Sequence, residues 1–238
     1  NTAYGQQIDS DFGWELAVQG RANMPIDFAG VEDQTFSGDG LTSTWSPLLS
    51  QSFGVRINNR LKKSWTFGTG IMWIRRNYSI EINYQNDTLG TNGINATDTI
   101  ALLRSMSYRI PIIAETRVEL GKGYFVTAAG GVGVEFVPSN AFVNGHTEGE
   151  IGTLEPERDY SAKIGRRHWA SFPLMAELGI HRKPKEDKPG FYIGMFYSRS
   201  LGKDYGVINT WQSNNVLLSW DGTFASTLAG VEFRILLE

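Results

Sequence analysis

Apolar and polar residues alternate with a period of two along almost the whole chain, and the 3.6-residue spacing of an amphipathic helix is hard to find anywhere. That alternation is what a strand with two unlike faces requires. Eight segments stand out. The first, about 12–24, puts Phe12, Trp14, Leu16, Val18, Ala22 and Met24 on one face and Glu15, Gln19, Arg21 and Asn23 on the other. The clearest, about 99–120, sets Met106, Tyr108, Ile110, Ile112, Val118 and Leu120 against Ser105, Ser107, Arg109, Glu115, Arg117 and Glu119. The others fall at about 50–61, 65–84, 124–137, 170–182, 191–203 and 223–237. Within 65–84 the apolar set runs Trp65, Phe67, Ile71 and Trp73, then resumes as Tyr78, Ile80, Ile82 and Tyr84. This slip predicts a β-bulge at Arg75-Arg76 that switches the faces.

The connections alternate in length. Lys62-Lys63-Ser64, Gly121-Lys122-Gly123 and 183–190 are short, whereas 25–49, 86–98, 143–169 and 208–222 are long. Short turns at one end, long loops at the other and an even strand number are the pattern of a membrane-spanning barrel. One strand face is almost free of charge. The other carries Glu15, Glu115, Glu119, Glu135, Glu177 and Glu232 with Arg21, Arg56, Arg60, Arg109, Arg117 and Arg234. In water the apolar face would be a large continuous patch, which soluble monomers avoid; against lipid it is stable. The charged face then lines an eight-stranded bore, just wide enough for side chains to fill it, and its acids and arginines pair across it. Trp14, Trp65, Tyr124, Phe191 and Tyr192 lie near the short-turn end, and Trp73, Tyr108, Phe136, Phe172 and Tyr197 near the long-loop end. They predict two interfacial girdles.

The expected fold is therefore all-β: a transmembrane antiparallel up-and-down barrel of eight strands. It forms one domain over 1–238, with 1–11 as a periplasmic N-terminal segment, short periplasmic turns and long extracellular loops. Composition removes the rivals. At 41% hydrophobic, 12% aromatic and 20% charged residues, the chain is too apolar for disorder. No apolar run approaches the roughly 20 residues of a spanning helix. A mean hydropathy of −0.25 fits a barrel that hides its apolar residues at every second position. A net charge of −3 without a basic stripe argues against nucleic acid. The absence of cysteine excludes disulfides and thiolate sites. A start at Asn1 without a signal peptide reads as a mature or trimmed form.

Tyr108-Arg109-Ile110-Pro111-Ile112-Ile113, the hairpin Gly121-Lys122-Gly123-Tyr124 and the run Ala128-Ala129-Gly130-Gly131-Val132-Gly133-Val134-Glu135-Phe136 resemble the small eight-stranded outer-membrane barrels of the OmpA/OmpX type. More narrowly, the chain is similar to the PorT-like outer-membrane β-barrel domain family of Bacteroidota. Gly230-x-x-Phe233-x-Ile235 resembles the β-signal read by the barrel-assembly machinery, although the chain ends Leu236-Leu237-Glu238 where a terminal aromatic is usual. The resemblance implies a Gram-negative outer-membrane location and gives no biochemical activity.

The expected role is non-enzymatic, with no cofactor: a structural, accessory or surface-interaction barrel whose bore is plugged by paired charges, as a subunit of a larger outer-membrane complex. Its expected partners are outer-membrane lipids, a protein in that complex and the assembly machinery. The long loops are unusually apolar, with Phe36, Trp45 and Leu48 in the first and Trp211, Leu217 and Trp220 in the last. They read either as a surface for that protein or as strand extensions packing on one another. A small-solute channel is the alternative. A lipid-modifying enzyme would need a nucleophile within reach of a base, for which His168 beside Ser171 is the candidate, with His146 and His181 the other histidines. His146, Glu148 and Glu150 form a weak metal pattern. Asp87-Thr88-Leu89 and Asp98-Thr99-Ile100 resemble an O-glycosylation sequon.

Overall fold

The structure, a computed structural model, describes residues 13–26, 33–38, 41–62, 64–84, 96–147, 158–184, 188–213 and 216–237. Thirteen strands account for most of them: β1 (Trp14–Pro25), β2 (Gln34–Gly38), β3 (Leu41–Lys62), β4 (Trp65–Tyr84), β5 (Ala96–Gly121), β6 (Tyr124–Phe136), β7 (Ala141–Thr147), β8 (Arg158–Arg166), β9 (Pro173–Arg182), β10 (Gly190–Ser200), β11 (Tyr205–Ser213), β12 (Val216–Phe224) and β13 (Thr227–Leu237). Eight of these pair antiparallel around a closed ring, in the order β1, β3, β4, β5, β6, β9, β10, β13 and back to β1. Closure leaves no free sheet edge, the condition for a β-structure to cross lipid.

Lengths within the ring are unequal. β1, β6, β9, β10 and β13 have 10 to 13 residues, about what a tilted membrane strand needs. β3, β4 and β5 have 22, 20 and 26, so they run well past the others. β2 adds to the extended part of β3, and β7, β8, β11 and β12 form a separate sheet in the order β12-β11-β8-β7. Much of what the sequence suggested as loops, 25–49, 143–169 and 208–222, is therefore strand. Together these pieces form a head above the ring.

The ring's outer wall is apolar: Leu16 and Val18 on β1, Phe53 and Val55 on β3, Ile110 and Ile112 on β5, Leu178 and Ile180 on β9, Val231 and Phe233 on β13 are all exposed. A continuous belt of this kind, around a charged interior, defines a transmembrane β-barrel. At the short-turn end Trp14, Trp65 and Tyr124 are exposed. At the head end Phe53 stacks on Trp73 at 6.1 Å and Tyr108 on Phe136 at 5.8 Å. Tyr192 is a correction to the expected girdle: it is 1% exposed and turns into the bore, its ring beneath the Arg234 guanidinium at 4.0 Å. The turn Gly121-Lys122-Gly123 has positive φ at all three residues, which two glycines make accessible.

The bulge expected at Arg75-Arg76 lies elsewhere. β4 keeps one parity throughout, with Met72, Ile74, Arg76, Tyr78, Ile80 and Ile82 all buried. The register shift falls in the neighbouring β3, between Leu48 and Gln51. There the Ser50 hydroxyl donates to the Leu48 carbonyl and accepts from the Asn77 amide, while Asn77 Nδ2 donates to the Leu49 carbonyl. The extra residue reverses parity, so Ser52 and Arg56 face inward below it and Ser43 and Trp45 above it. Trp45, Tyr78, Ile80, Ile82, Leu103, Tyr160, Ile164, Tyr205, Val207, Trp211 and Phe224 fill the head as one apolar core.

Candidate functional site

The bore holds two charge clusters. The larger joins Arg21, Arg56, Arg117 and Arg234 to Glu15, Glu115, Glu177 and Glu232. Arg21 Nη2 donates to Glu177 Oε1 at 2.6 Å and its Nε to Glu232 at 3.0 Å. Arg56 bonds Glu177 at 2.9 Å and Glu115 at 3.2 Å. Arg234 bonds Glu115 at 3.1 Å, and also Glu177 and Glu232. Arg117 bonds Glu115 at 2.7 Å and Glu15 at 3.1 Å, with Asn58 steering the Glu15 carboxylate at 2.9 Å. Nearly all of these side chains are excluded from solvent. Charge-assisted bonds of this density satisfy ions that would otherwise be untenable away from water. Gly68 is required here: a Cβ on it would lie 2.7 Å from Arg56 Nε. At the short-turn side His181 packs edge-on against Phe125 at 5.9 Å, its Nε2 3.5 Å from Arg117 Nη1.

The second cluster lies nearer the head. Arg109 places Nε and Nη2 on Glu135 Oε2 at 3.0 and 2.6 Å. Arg76 reaches Glu135 Oε1, Ser107 and Ser226, each at 2.7 Å. The Tyr205 hydroxyl donates to Glu135 at 3.2 Å. Met72, Ile74, Phe196 and Leu228 form a small apolar cluster that interleaves with them, Met72 in register with Arg109 and Phe196 with Glu177, and Arg21 lies over the Phe196 ring at 4.3 Å. The bore is thus filled by ionic and apolar groups together.

Ten of the twelve charged residues expected to line the bore are joined in these clusters. Glu119 is not: it keeps the parity of Glu115 and Arg117 but emerges exposed beside the Gly121 turn. Arg60 is half-buried at the same end, its amide donating to the Gly13 carbonyl. Sequence reading missed Arg76, because the mistaken slip placed it at a change of face. Its even parity with Met72 and Ile74 was the available signal. Tyr205 and Ser226 come from segments taken for loop or strand end.

The residues proposed for partner contact are placed differently. Trp45 and Trp211 are 1% and 4% exposed in the head core, and Phe36 packs edge-on against Trp45 at 6.1 Å. Of the two readings of these apolar segments, strand extensions packing on one another is the one that both tryptophans fit. Leu48 is half-buried and Leu217 is exposed; the Trp220 side chain lies outside the described residues. Head burial also shifts ionisation. Burial pushes the Tyr78 phenol up to about 12, ahead of an opposing pull from Arg76. Burial likewise raises Tyr205 and Tyr160. It raises Asp204 too.

His168 is exposed and Ser171 is buried in a backbone bridge to Glu135. His146 lies in β7 opposite Asp159, whereas Glu148 and Glu150 fall outside the described residues. No group of three metal-ligating side chains occurs among the described residues. Asp87-Thr88-Leu89 also lies outside them, and Asp98-Thr99-Ile100 is within β5.

The fold and bore define a class: a closed, charge-filled transmembrane β-barrel carrying a β-structured head. No family profile and no curated protein matches the chain. Among solved structures it is similar to the outer membrane protein OprG from Pseudomonas aeruginosa, at 10% identity and TM-score 0.47, covering 95% of this chain and 97% of that one. It is also similar to the outer membrane protease OmpT from Escherichia coli, at 9% identity and TM-score 0.32, covering 95% of each. The COG4313 outer membrane channel from Pseudomonas putida F1 aligns at 8% identity and TM-score 0.22 over the whole of both chains.

Proposed function

We propose that this protein is a non-conducting, non-enzymatic outer-membrane barrel that serves as a rigid pedestal for its extracellular head. The observation that carries the reading is the filling of the bore by two clusters of buried ion pairs. An ion crossing it would have to part buried pairs that leave uncompensated charges behind. A soluble partner or a larger outer-membrane complex is then met by the head and by the lipid-facing wall, as in an accessory or surface-interaction protein. β13, with Gly230-x-x-Phe233-x-Ile235, is the strand offered to the barrel-assembly machinery. The motifs at Tyr108–Ile113 and Ala128–Phe136 support a place near the PorT-like barrels of Bacteroidota.

The test is recording from purified protein in planar bilayers. The expected result is no unitary conductance in wild type, with steps appearing in Arg56→Ala/Glu177→Ala. Regular steps from wild type would establish the small-solute channel instead.

A further inference from the structure

We propose that the outer face of the four-stranded head sheet binds a neutral oligosaccharide presented from outside, a reading that rests on the head standing outside the membrane as proposed above. The site is a dish of about 430 Å³, within the roughly 300–1,000 Å³ of small-molecule sites. Strand alternation makes it. β8 and β11 turn Tyr160, Ala162, Ile164, Val207 and Trp211 into the head core, so Asp159, Ser161, Thr210 and Gln212, of the other parity, face out. Ser161 stands between Asn144 of β7 and Thr210 of β11, and Gln212 between Asp159 of β8 and Leu217 of β12. All six line the dish.

The floor is made of small side chains, the Ser161 and Thr210 hydroxyls bonding to each other. Around it stand the exposed amides of Asn144 and Gln212 and the exposed carboxylate of Asp159. The two amides are two strands apart, about 10 Å. An amide offers one acceptor and two donors in a plane, and a carboxylate offers acceptors only. That set matches the adjacent hydroxyls of a sugar ring, each of which both donates and accepts. Leu217, 67% exposed, gives the ring's C–H face an apolar patch. Phe142 continues the site: it lies two residues before Asn144 on the same face of β7, about 7 Å away, and is 72% exposed. An aromatic face at that spacing supports a second sugar unit. Height selects the source. β11 begins at Tyr205, whose hydroxyl reaches Glu135 in the bore, and Gln212 lies about 23 Å farther along the strand. Asp159, Gln212 and Leu217 are each one residue from a strand end. The dish is therefore at the tip of the head, away from the lipid belt, and opens to the medium.

The test is calorimetric titration of the purified protein, in a zwitterionic detergent without a sugar head group, with maltotriose, cellotriose, mannotriose, galactotriose and triacetylchitotriose. At least one trimer is expected to bind with a Kd of about 10 μM to 1 mM. Asn144→Ala and Gln212→Ala are each expected to weaken it about fivefold, the effect of one hydrogen-bonding side chain. Phe142→Ala is expected to weaken the trimer more than the matching monosaccharide. Thr210→Trp, which fills the dish, is expected to abolish binding, and Ser79→Ala, outward on β4, to leave it unchanged. Heat-modifiable gel mobility verifies the ring of each variant and protease resistance its head. Heat from none of the five trimers, or binding untouched by Thr210→Trp and by both amide variants, would overturn the site. Bilayer conductance tests the pedestal separately, so either reading can fail alone.

Discussion

The lower and upper halves of β4 are one continuous strand with one parity, yet they are opposite in chemistry. Below Arg76 the inward residues begin with Thr66, Gly68 and Gly70 and turn apolar at Met72 and Ile74, and the outward ones are Trp65, Phe67 and Ile71. Above it the inward residues are Tyr78, Ile80 and Ile82 and the outward ones Asn77, Ser79 and Glu81. The backbone does not change; the solvent outside does. In lipid the outer face must be apolar and the interior can hold paired ions. In water the hydrophobic effect reverses the requirement, and the interior becomes an ordinary core. The protein is two oppositely polarised β-structures on shared strands, with Arg76 and Glu135 near the crossing.

The largest expected effect comes from breaking the lower half from inside. Glu177 takes bonds from Arg21, Arg56 and Arg234. Glu177→Ala should destabilise by about 3–5 kcal/mol, because it strands buried arginines. Arg117→Ala and Glu232→Ala should act in the same direction. Heat-modifiable mobility and urea unfolding in vesicles measure it, and an unchanged midpoint in all three would refute the ionic plug. Trp45→Ala attacks the upper half by the opposite physics, deleting core volume at a cost of about 3–5 kcal/mol. It should loosen the head, seen by protease nicking within β7–β8 or β11–β12, while the ring stays intact.

Outward substitutions sharpen the contrast. Ile112→Arg places a cation on the lipid-facing wall and should cost about 2–4 kcal/mol if near the bilayer midplane. Ser79→Arg, outward on the head, should stay within about 0.5 kcal/mol. Similar costs at the two sites would mean that the boundary at Arg76 is misplaced.

The ring was legible from sequence because its period-2 signal is strong and both faces are chemically pure. The inward face of Trp45 is hidden in the sequence because a single extra residue at Leu49-Ser50 reverses parity in β3, and nothing local in Leu48-Leu49-Ser50 announces it. The head was read as loops for a related reason. Its apolar residues are inward, so against a belt taken as outward they looked like exposed patches. Glu119 fell to a different limit: alternation gives the face but not the height along the bore, and height decides whether a carboxylate meets a partner or water. For Tyr192 the face itself was the available signal, since it alternates with the outward Ile193 and Met195.

Alkaline pH separates the halves most gently. Tyr78, Tyr160 and Tyr205 are each pushed above the usual phenol range by burial in the head. A phenol whose folded value is raised stabilises the fold fully below its unfolded value near 10. That contribution is lost as pH rises from there, through about 12 for Tyr78. In this window the unfolded head has released protons that the folded head retains, so stability falls by about 1.4 kcal/mol per pH unit for each such tyrosine. Absorbance at 295 nm should show tyrosines ionising late and together with a loss of head protection, while barrel mobility on gels persists. Tyr78→Phe should remove part of the alkaline sensitivity. Simple ionisation of all tyrosines near pH 10, with the head still folded, would show that these phenols meet water and that the upper interior is not the dry core opposed to the ionic bore below.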